Sequence, residues 1–190
     1  MMPTRLPRIL RPPALLRPFA DIDADLVRSI ADDPLIPLIT TVPTSGTRGD
    51  ALSYIERQHA RLRDGQGYSF VIADAVQGHA VGQIGLWTRD INAGRASTGY
   101  WVAPQFRRRG YLRAALAGLT EWALTHDEIS RIELHVEPWN AGSWRAARAC
   151  GYEREGRLRS WEQVGEERKD MDVWSVVSHP SERFEVPGGE

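Results

Sequence analysis

The segment Gln105-Phe106-Arg107-Arg108-Arg109-Gly110-Tyr111-Leu112 gathers positive charge around a glycine. It follows a stretch that reads as a strand, Ala96 to Val102. It opens a run with apolar residues at Leu112, Ala115, Leu116, Leu119, Trp122 and Ala123, which is helical spacing. The start of a helix presents unpaired N–H groups and the positive end of a dipole, so this junction is an anion site in the making, and phosphate is its commonest guest. Gly110 lets the backbone turn tightly and come close to a ligand. The spacing is neither Gly-x-x-x-x-Gly-Lys-Ser/Thr nor Gly-x-Gly-x-x-Gly, so neither a P-loop nor a dinucleotide fold is supported. Two plainer readings stand beside the anion site: a solvated basic turn, and a contact to RNA or DNA.

Further along, Asn140 and Ser143 open a second helical run. Asn140 is a strong N-cap type, and Ser143 falls where a side chain also caps. Just before them, Glu133, His135 and Glu137 alternate with Ile132, Leu134 and Val136, so the three polar residues share one face of a strand. Glu162 lies on or beside a late strand. Each of these carboxylates is equally readable as a solvated surface charge. Trp101, Trp139 and Trp161 flank the same segments and are candidates either for packing or for lining a pocket. Cys150, at the end of a helix, reads as a small buried residue.

The elements that must position these groups follow from turn residues and periodicity. Ala14 to Phe19 reads as a first strand, and Asp21 as the cap of a helix reaching Ile30. Residues 34–43 read as irregular around three prolines, and residues 48–63 as a helix ended by Gly65 and Gly67. Strands are expected at 68–73, 80–87 and 96–102, a helix from Leu112 to Ala123, a strand at 132–136 and a helix from Asn140 to Cys150. Final strands at 152–159 and 169–177 form a hairpin near Gly165. The order β-α-α-β-β-β-α-β-α-β-β predicts one α/β (α+β) domain with a mixed, mostly antiparallel sheet. Residues 1–13 and 179–190 are expected to be tails around a domain at 14–178.

The chain has 190 residues, 24 Lys and Arg against 25 Asp and Glu, and one cysteine. That length fits one domain. A net charge of −1 argues against a nucleic-acid coat or a polybasic membrane binder, so the arginine cluster is a local feature. One cysteine excludes a disulfide framework and a cysteine-based zinc site within the chain, and no metal site is expected. No apolar run reaches the 18 or so residues of a membrane span. The proline-broken N-terminus does not read as a signal peptide, so a cytoplasmic protein is expected.

Taken in order, the motifs resemble those of the GCN5-related N-acetyltransferases (GNAT). Tyr100-Trp101-Val102-Ala103-Pro104 followed by Arg107-x-x-Gly110 is similar to the acyl-CoA motif of that superfamily. Asn140-Ala141-Gly142-Ser143, then Ala146-Ala147 and Cys150-Gly151-Tyr152, is similar to its second motif. The likeness is closest to the RimJ/RimL-like branch that acetylates N-terminal amines of ribosomal proteins, whose opening Leu16-Arg17-Pro18-Phe19 also resembles. It spans roughly residues 15–177. One position departs: Leu112 stands where relatives carry Gly or Ala. Its side chain either narrows the approach of the cofactor or turns into the core with its helical stripe.

The resemblance implies a single-domain GNAT fold with splayed strands and acetyl-CoA as cofactor. It implies direct transfer of the acetyl group to a primary amine of a small molecule or a protein N-terminus. It places cofactor contacts at Tyr100, Trp101, Val102, Arg107, Arg108, Arg109, Gly110, Tyr111, Leu112, Asn140 and Ser143. It implies Ser143 as partner of the leaving thiolate and Glu162 as the carboxylate near the amine; the shared strand face of Glu133, His135 and Glu137 offers one of those three as the base instead. An α-amine, with a pKa near 7.7–8.0 against roughly 10.4 for lysine, loses its proton at neutral pH with little help. No specific nucleic acid and no membrane is expected as partner, and the family allows a homodimer. The other readings kept open are a non-catalytic acyl-CoA-binding or regulatory module on the same fold and an RNA-associated adaptor.

Overall fold

The computed structural model describes residues 2–178. Eight strands form one sheet: β1 (Ile9–Arg11), β2 (Ala14–Arg17), β3 (Gly67–Asp74), β4 (Ala80–Trp87), β5 (Arg95–Val102), β6 (Arg131–Val136), β7 (Glu153–Val164) and β8 (Glu167–Val177). Their spatial order is β1-β2-β3-β4-β5-β6-β8-β7. Every neighbouring pair is antiparallel except β5–β6. Five helices complete the fold: α1 (Ala24–Ser29), α2 (Ile36–Ile39), α3 (Arg48–Arg63), α4 (Tyr111–Ala123) and α5 (Ala141–Ala149). The mixed, mostly antiparallel sheet and the expected element order are both present.

Each face of the sheet has its own core. Alternation along the strands sends Phe70, Ile84, Ala96, Val102, Ile132, Leu134 and Val136 to one face, where α4 brings Ala115, Leu116 and Leu119 and α5 brings Ala147. Full burial of a leucine such as Leu116 or Leu119 contributes about 1.5–3 kcal/mol, which is why the apolar stripe of α4 fixes the helix to the sheet. The opposite face sends Val71, Ala73 and Trp101 against Val27 of α1, Ile30 just after it, and Ala51, Tyr54 and Ile55 of α3.

Four local readings change. The expected N-terminal tail contains β1, an edge strand paired with β2 from Ile9↔Leu16 to Arg11↔Ala14. Asp21 does not cap a helix with its side chain. A 3-10 turn occupies Asp21–Asp23, and it is Asp23 that accepts from the Ala20 N–H (2.8 Å) and pairs with Arg17 (2.7 Å). The proline-rich stretch holds the single turn α2. β7 runs past its expected end to Val164, through register shifts at Arg154/Gly156 and Leu158/Glu162 that pattern reading does not detect. The expected C-terminal tail lies outside the described residues.

The feature that matters for function is in the middle of the sheet. The β5–β6 pairing covers only Arg95↔Arg131 to Ser97↔Glu133. Beyond it β5 stays with β4 as far as Gly82↔Val102, and β6 stays with β8 as far as Val136↔Asp172. Two strands that keep only their outer partners diverge, and their facing backbone edges lose each other as hydrogen-bond partners. The result is a wedge-shaped opening between residues 98–102 and 134–136.

Candidate active site

The loop from β5 to α4 sits at the mouth of this opening. Arg107 N–H donates to Pro104 O (3.2 Å), and the first helical bond of α4 runs from Ala114 N–H to Gly110 O (3.0 Å). The six N–H groups between them, from Arg108 to Arg113, have no backbone acceptor among the described residues, and no side chain caps the helix. The chain reaches this arrangement through two left-handed residues, Arg108 at φ 63° and Gly110 at φ 83°. A glycine takes that conformation freely; an arginine does so at a cost, and such strain is concentrated at functional positions. Unpaired amides ending in a helix N-terminus form an anion-binding concavity.

Side chains around the turn divide into holders and free cations. The Arg107 guanidinium turns back, donating to Val102 O (2.9 Å) and to Asp33 Oδ2 (3.4 Å). The Tyr111 hydroxyl donates to Asp74 Oδ2 (2.5 Å), which moors the first turn of α4 to the end of β3. The Asp74 carboxylate also accepts from the Gln77 and Val76 N–H groups (2.7 and 2.9 Å). Led by the Gln77 amide and then the Tyr111 hydroxyl, these donors lower its pKa from 3.8 to about 2. Arg108, Arg109 and Arg113 are exposed and carry no acidic partner among the described residues; Arg109 lies over the Phe106 ring at 5.8 Å. Arg113, in the first turn of α4, was not anticipated by the motif, which ends at Leu112. Leu112, the residue that departs from the family pattern, is half-buried and packs against the main core. Its side chain therefore leaves the amide cradle.

Ser143 and Asn140 lie at the start of α5, and here the structure separates two roles that the sequence left merged. Asn140 Oδ1 accepts from the Ser143 N–H (3.1 Å) and is the cap. The Ser143 carbonyl accepts from the Tyr100 hydroxyl (3.4 Å), and the Ser143 side chain also interacts with that phenol. That bond crosses from β5 to α5 and brings Ser143 to the opening. Burial raises the Tyr100 pKa well above its usual value, so this hydroxyl keeps its proton. Val102 is buried against α4, and Trp101 turns to the other face, where its indole N–H donates to the Tyr54 hydroxyl (3.3 Å). Trp101 is thus a packed wall.

Glu133 and His135 lie on the face of β6 away from α4 and α5, opposite Ile132, Leu134 and Val136. Glu133 is ion-paired with Arg131 (2.7 Å), which also holds Glu155. Glu137 accepts from the Trp139 indole (2.6 Å), and Trp139 itself is exposed. His135 meets the Trp161 ring edge-on, with centroids 5.6 Å apart. Glu162 is exposed and is the cross-strand partner of Lys169, out on the β7–β8 hairpin. Cys150 is half-buried, and desolvation raises its thiol pKa, as expected of an inert cysteine. Among the described residues no cluster of His, Cys, Asp or Glu could hold a metal ion, and no helix is long and apolar enough to cross a membrane.

A splayed parallel pair, an amide-lined turn at its mouth and a capped helix beside it form a recognisable set. The family model for the acetyltransferase (GNAT) domain matches residues 14–153. The chain belongs to this family. GNAT proteins similar to it include an uncharacterized N-acetyltransferase, p20, of Bacillus licheniformis. That protein is 24% identical over 155 residues, covering 82% of this chain and 87% of its own. Among solved structures, Mycobacterium smegmatis RimJ in complex with a CoA-disulfide is 25% identical. It has a TM-score of 0.77 and covers 96% of this chain and 89% of its own. RimL, a ribosomal α-N-protein acetyltransferase in complex with coenzyme A, is 15% identical. It has a TM-score of 0.74 and covers 90% of this chain and 98% of its own. This GNAT chain is accordingly an N-acetyltransferase.

Proposed function

We propose that this N-acetyltransferase uses acetyl-CoA and passes the acetyl group directly to a primary amine while both substrates are bound. The observation that carries the reading is the run of six unpaired N–H groups from Arg108 to Arg113 at the mouth of the β5–β6 opening. These amides fit a diphosphate, and Arg108, Arg109 and Arg113 supply the remaining counter-charge. Leu112 fits too, because its side chain packs into the core. Acetyl-CoA, when bound, supplies a thioester carbonyl for attack. Backbone groups of residues 98–101 on the β5 edge that β6 leaves line the opening and can hold the pantetheine arm and polarise that carbonyl.

Ser143 is the proton donor to the leaving thiolate in this reading, supported by its place against Tyr100 beside the opening. The proposed acceptor is a protein N-terminal α-amine, the kind of amine that RimL modifies. A free α-amine is partly neutral at pH 7 and demands little of the enzyme. Thiol release from acetyl-CoA over a panel of N-terminal peptides, polyamines and lysine peptides tests the reading. Peptide α-amines are expected to turn over fastest. Binding of acetyl-CoA with no turnover on any amine would leave a non-catalytic acyl-CoA-binding module instead. Ser143→Ala is expected to lower kcat about 100-fold with acetyl-CoA affinity unchanged; a normal rate would leave Ser143 no part in the chemistry.

A further inference from the structure

The opening has two faces, and they carry different chemistry. On the side of α4 and α5 stand Tyr100 and Ser143. On the other side the polar residues of β6 line up, and four of the groups there could take a proton: Glu133, His135, Glu137 and Glu162. Three of these are poorly placed or already engaged. Glu133 is neutralised by Arg131 at 2.7 Å, and Glu137 is held by the Trp139 indole at 2.6 Å. Glu162 has a free carboxylate, but its partner on β8 is Lys169, whereas the partner of His135 is Val173. Four residues along a strand is about 13 Å, so Glu162 lies well out toward the hairpin tip.

His135 is different on every count. It is the second residue after the last β5–β6 pair, Ser97↔Glu133, and on the same face as Glu133, so it stands where the two strands part. It is half-buried, its ring is held edge-on by Trp161, and neither ring nitrogen is engaged by a protein group among the described residues. Across the opening, the corresponding position on β5 is Gly99. The indole of Trp87 folds back along β4 there: a Cβ on Gly85 would come within 2.3 Å of the ring, and one on Gly99 within 3.6 Å of its Nε1. The Arg61 guanidinium covers the ring at 4.5 Å, and its Nε is fixed by the buried Gln58 (3.1 Å). Gln58 is in turn bonded to Ser69 (3.0 Å). The wall facing His135 across the opening is therefore held by a chain of side-chain contacts.

We propose that His135, and not Glu162, takes the proton from the attacking amine. This inference rests on the acetyl-transfer reading above. As the amine nitrogen bonds to the thioester carbon, His135 accepts one N–H proton. The C–S bond breaks, and the thiolate takes the Ser143 hydroxyl proton. His135 then releases its proton to water and Ser143 regains one from water, so amine and thioester become amide and thiol with no net proton change. Acid and base stand on opposite faces of the opening, so the amine can enter from the side that the leaving thiol does not occupy.

The test compares His135→Asn with Glu162→Gln, using full-length protein, acetyl-CoA and the best amine of the panel. His135→Asn is expected to lower kcat by about 10²–10⁴-fold. Acetyl-CoA affinity by calorimetry should be unchanged, and added imidazole should restore part of the rate. Glu162→Gln is expected to stay within about threefold of wild type. A normal rate in His135→Asn, or a large loss confined to Glu162→Gln, overturns the proposal while leaving acetyl transfer intact. A loss that follows weakened acetyl-CoA binding and that imidazole does not lift makes His135 a packing residue and also overturns it. A wild type that turns over no amine removes the parent reading as well.

Discussion

The two sides of the opening are built on different principles. The proposed phosphate side is one continuous segment, residues 107–113, and its working parts are main-chain N–H groups whose direction is set by two left-handed residues and the start of a helix. The proposed amine side is assembled from Arg61 on α3, Trp87 on β4, His135 on β6 and Trp161 on β7, and its working parts are side chains. A site made of local backbone tolerates almost any side chain except at the residue that sets the turn. A site made of distant side chains depends on each strand keeping its register. Substitutions should therefore act on cofactor binding at one or two positions, and on acceptor chemistry at many.

The sharpest way to break that contrast is Gly110→Val. The side chain itself has room, since a Cβ at Gly110 would meet only Pro13 at 3.8 Å, so the effect falls on the backbone. A β-branched residue resists φ 83° by at least about 1–2 kcal/mol, and relieving that strain turns the amides away from one another. Acetyl-CoA affinity is expected to fall more than about tenfold, with the circular dichroism spectrum retained. Unchanged affinity in calorimetry would mean that the turn is not the phosphate cradle.

A smaller effect separates charge from scaffold within the arginine run. Arg108→Ala combined with Arg109→Ala should weaken acetyl-CoA binding several-fold and flatten its salt dependence, because exposed charges act through screened attraction. Arg107→Ala should do the reverse. It removes a charged hydrogen bond to Val102 O, worth about 1.5–3 kcal/mol, so it should lower the melting temperature and leave the salt dependence of binding unchanged. Equal behaviour of the three arginines would erase the distinction.

The same contrast explains what could be read from the sequence. The turn at 105–112, which we propose as the anion site, was legible as a strand-to-helix junction because strand, glycine, arginines and helix follow one another directly. Most of the element order along the chain and the two helices of the motifs were legible through periodicity. The amine side was not. Nothing local says that β5 and β6 part after Ser97, that Arg131 occupies Glu133 rather than leaving it free, or that the bulge at Leu158/Glu162 brings Trp161 to His135 while carrying Glu162 outward. Trp87 left one trace, its i, i+2 spacing from Gly85, which puts ring and gap on one face. Capping illustrates the same limit: Asn140 and Ser143 both looked like caps, and only the contacts divide the work between them.

The smallest expected effect concerns how the cradle is moored, and it depends on pH. Asp74 accepts from the Gln77 amide, the Tyr111 hydroxyl and the Val76 amide, and its folded pKa is about 2 against an ordinary 3.8. A carboxylate whose pKa is lower in the folded state binds fewer protons folded than unfolded. Its contribution to stability is therefore complete above about pH 5, shrinks below that, and is lost as the pH falls through 2. Tyr111→Phe keeps the buried ring and removes only the hydroxyl donor. The urea midpoint of this variant should lie below that of the wild type at pH 7, and the gap should narrow steadily from pH 5 to pH 3. Above pH 5 acetyl-CoA affinity should fall slightly in the variant, since the first turn of α4 loses its tie to β3. A gap that stays constant down to pH 3 would assign the loss to packing of the ring edge and not to the Asp74 carboxylate, and α4 would then be held in place by its apolar face alone.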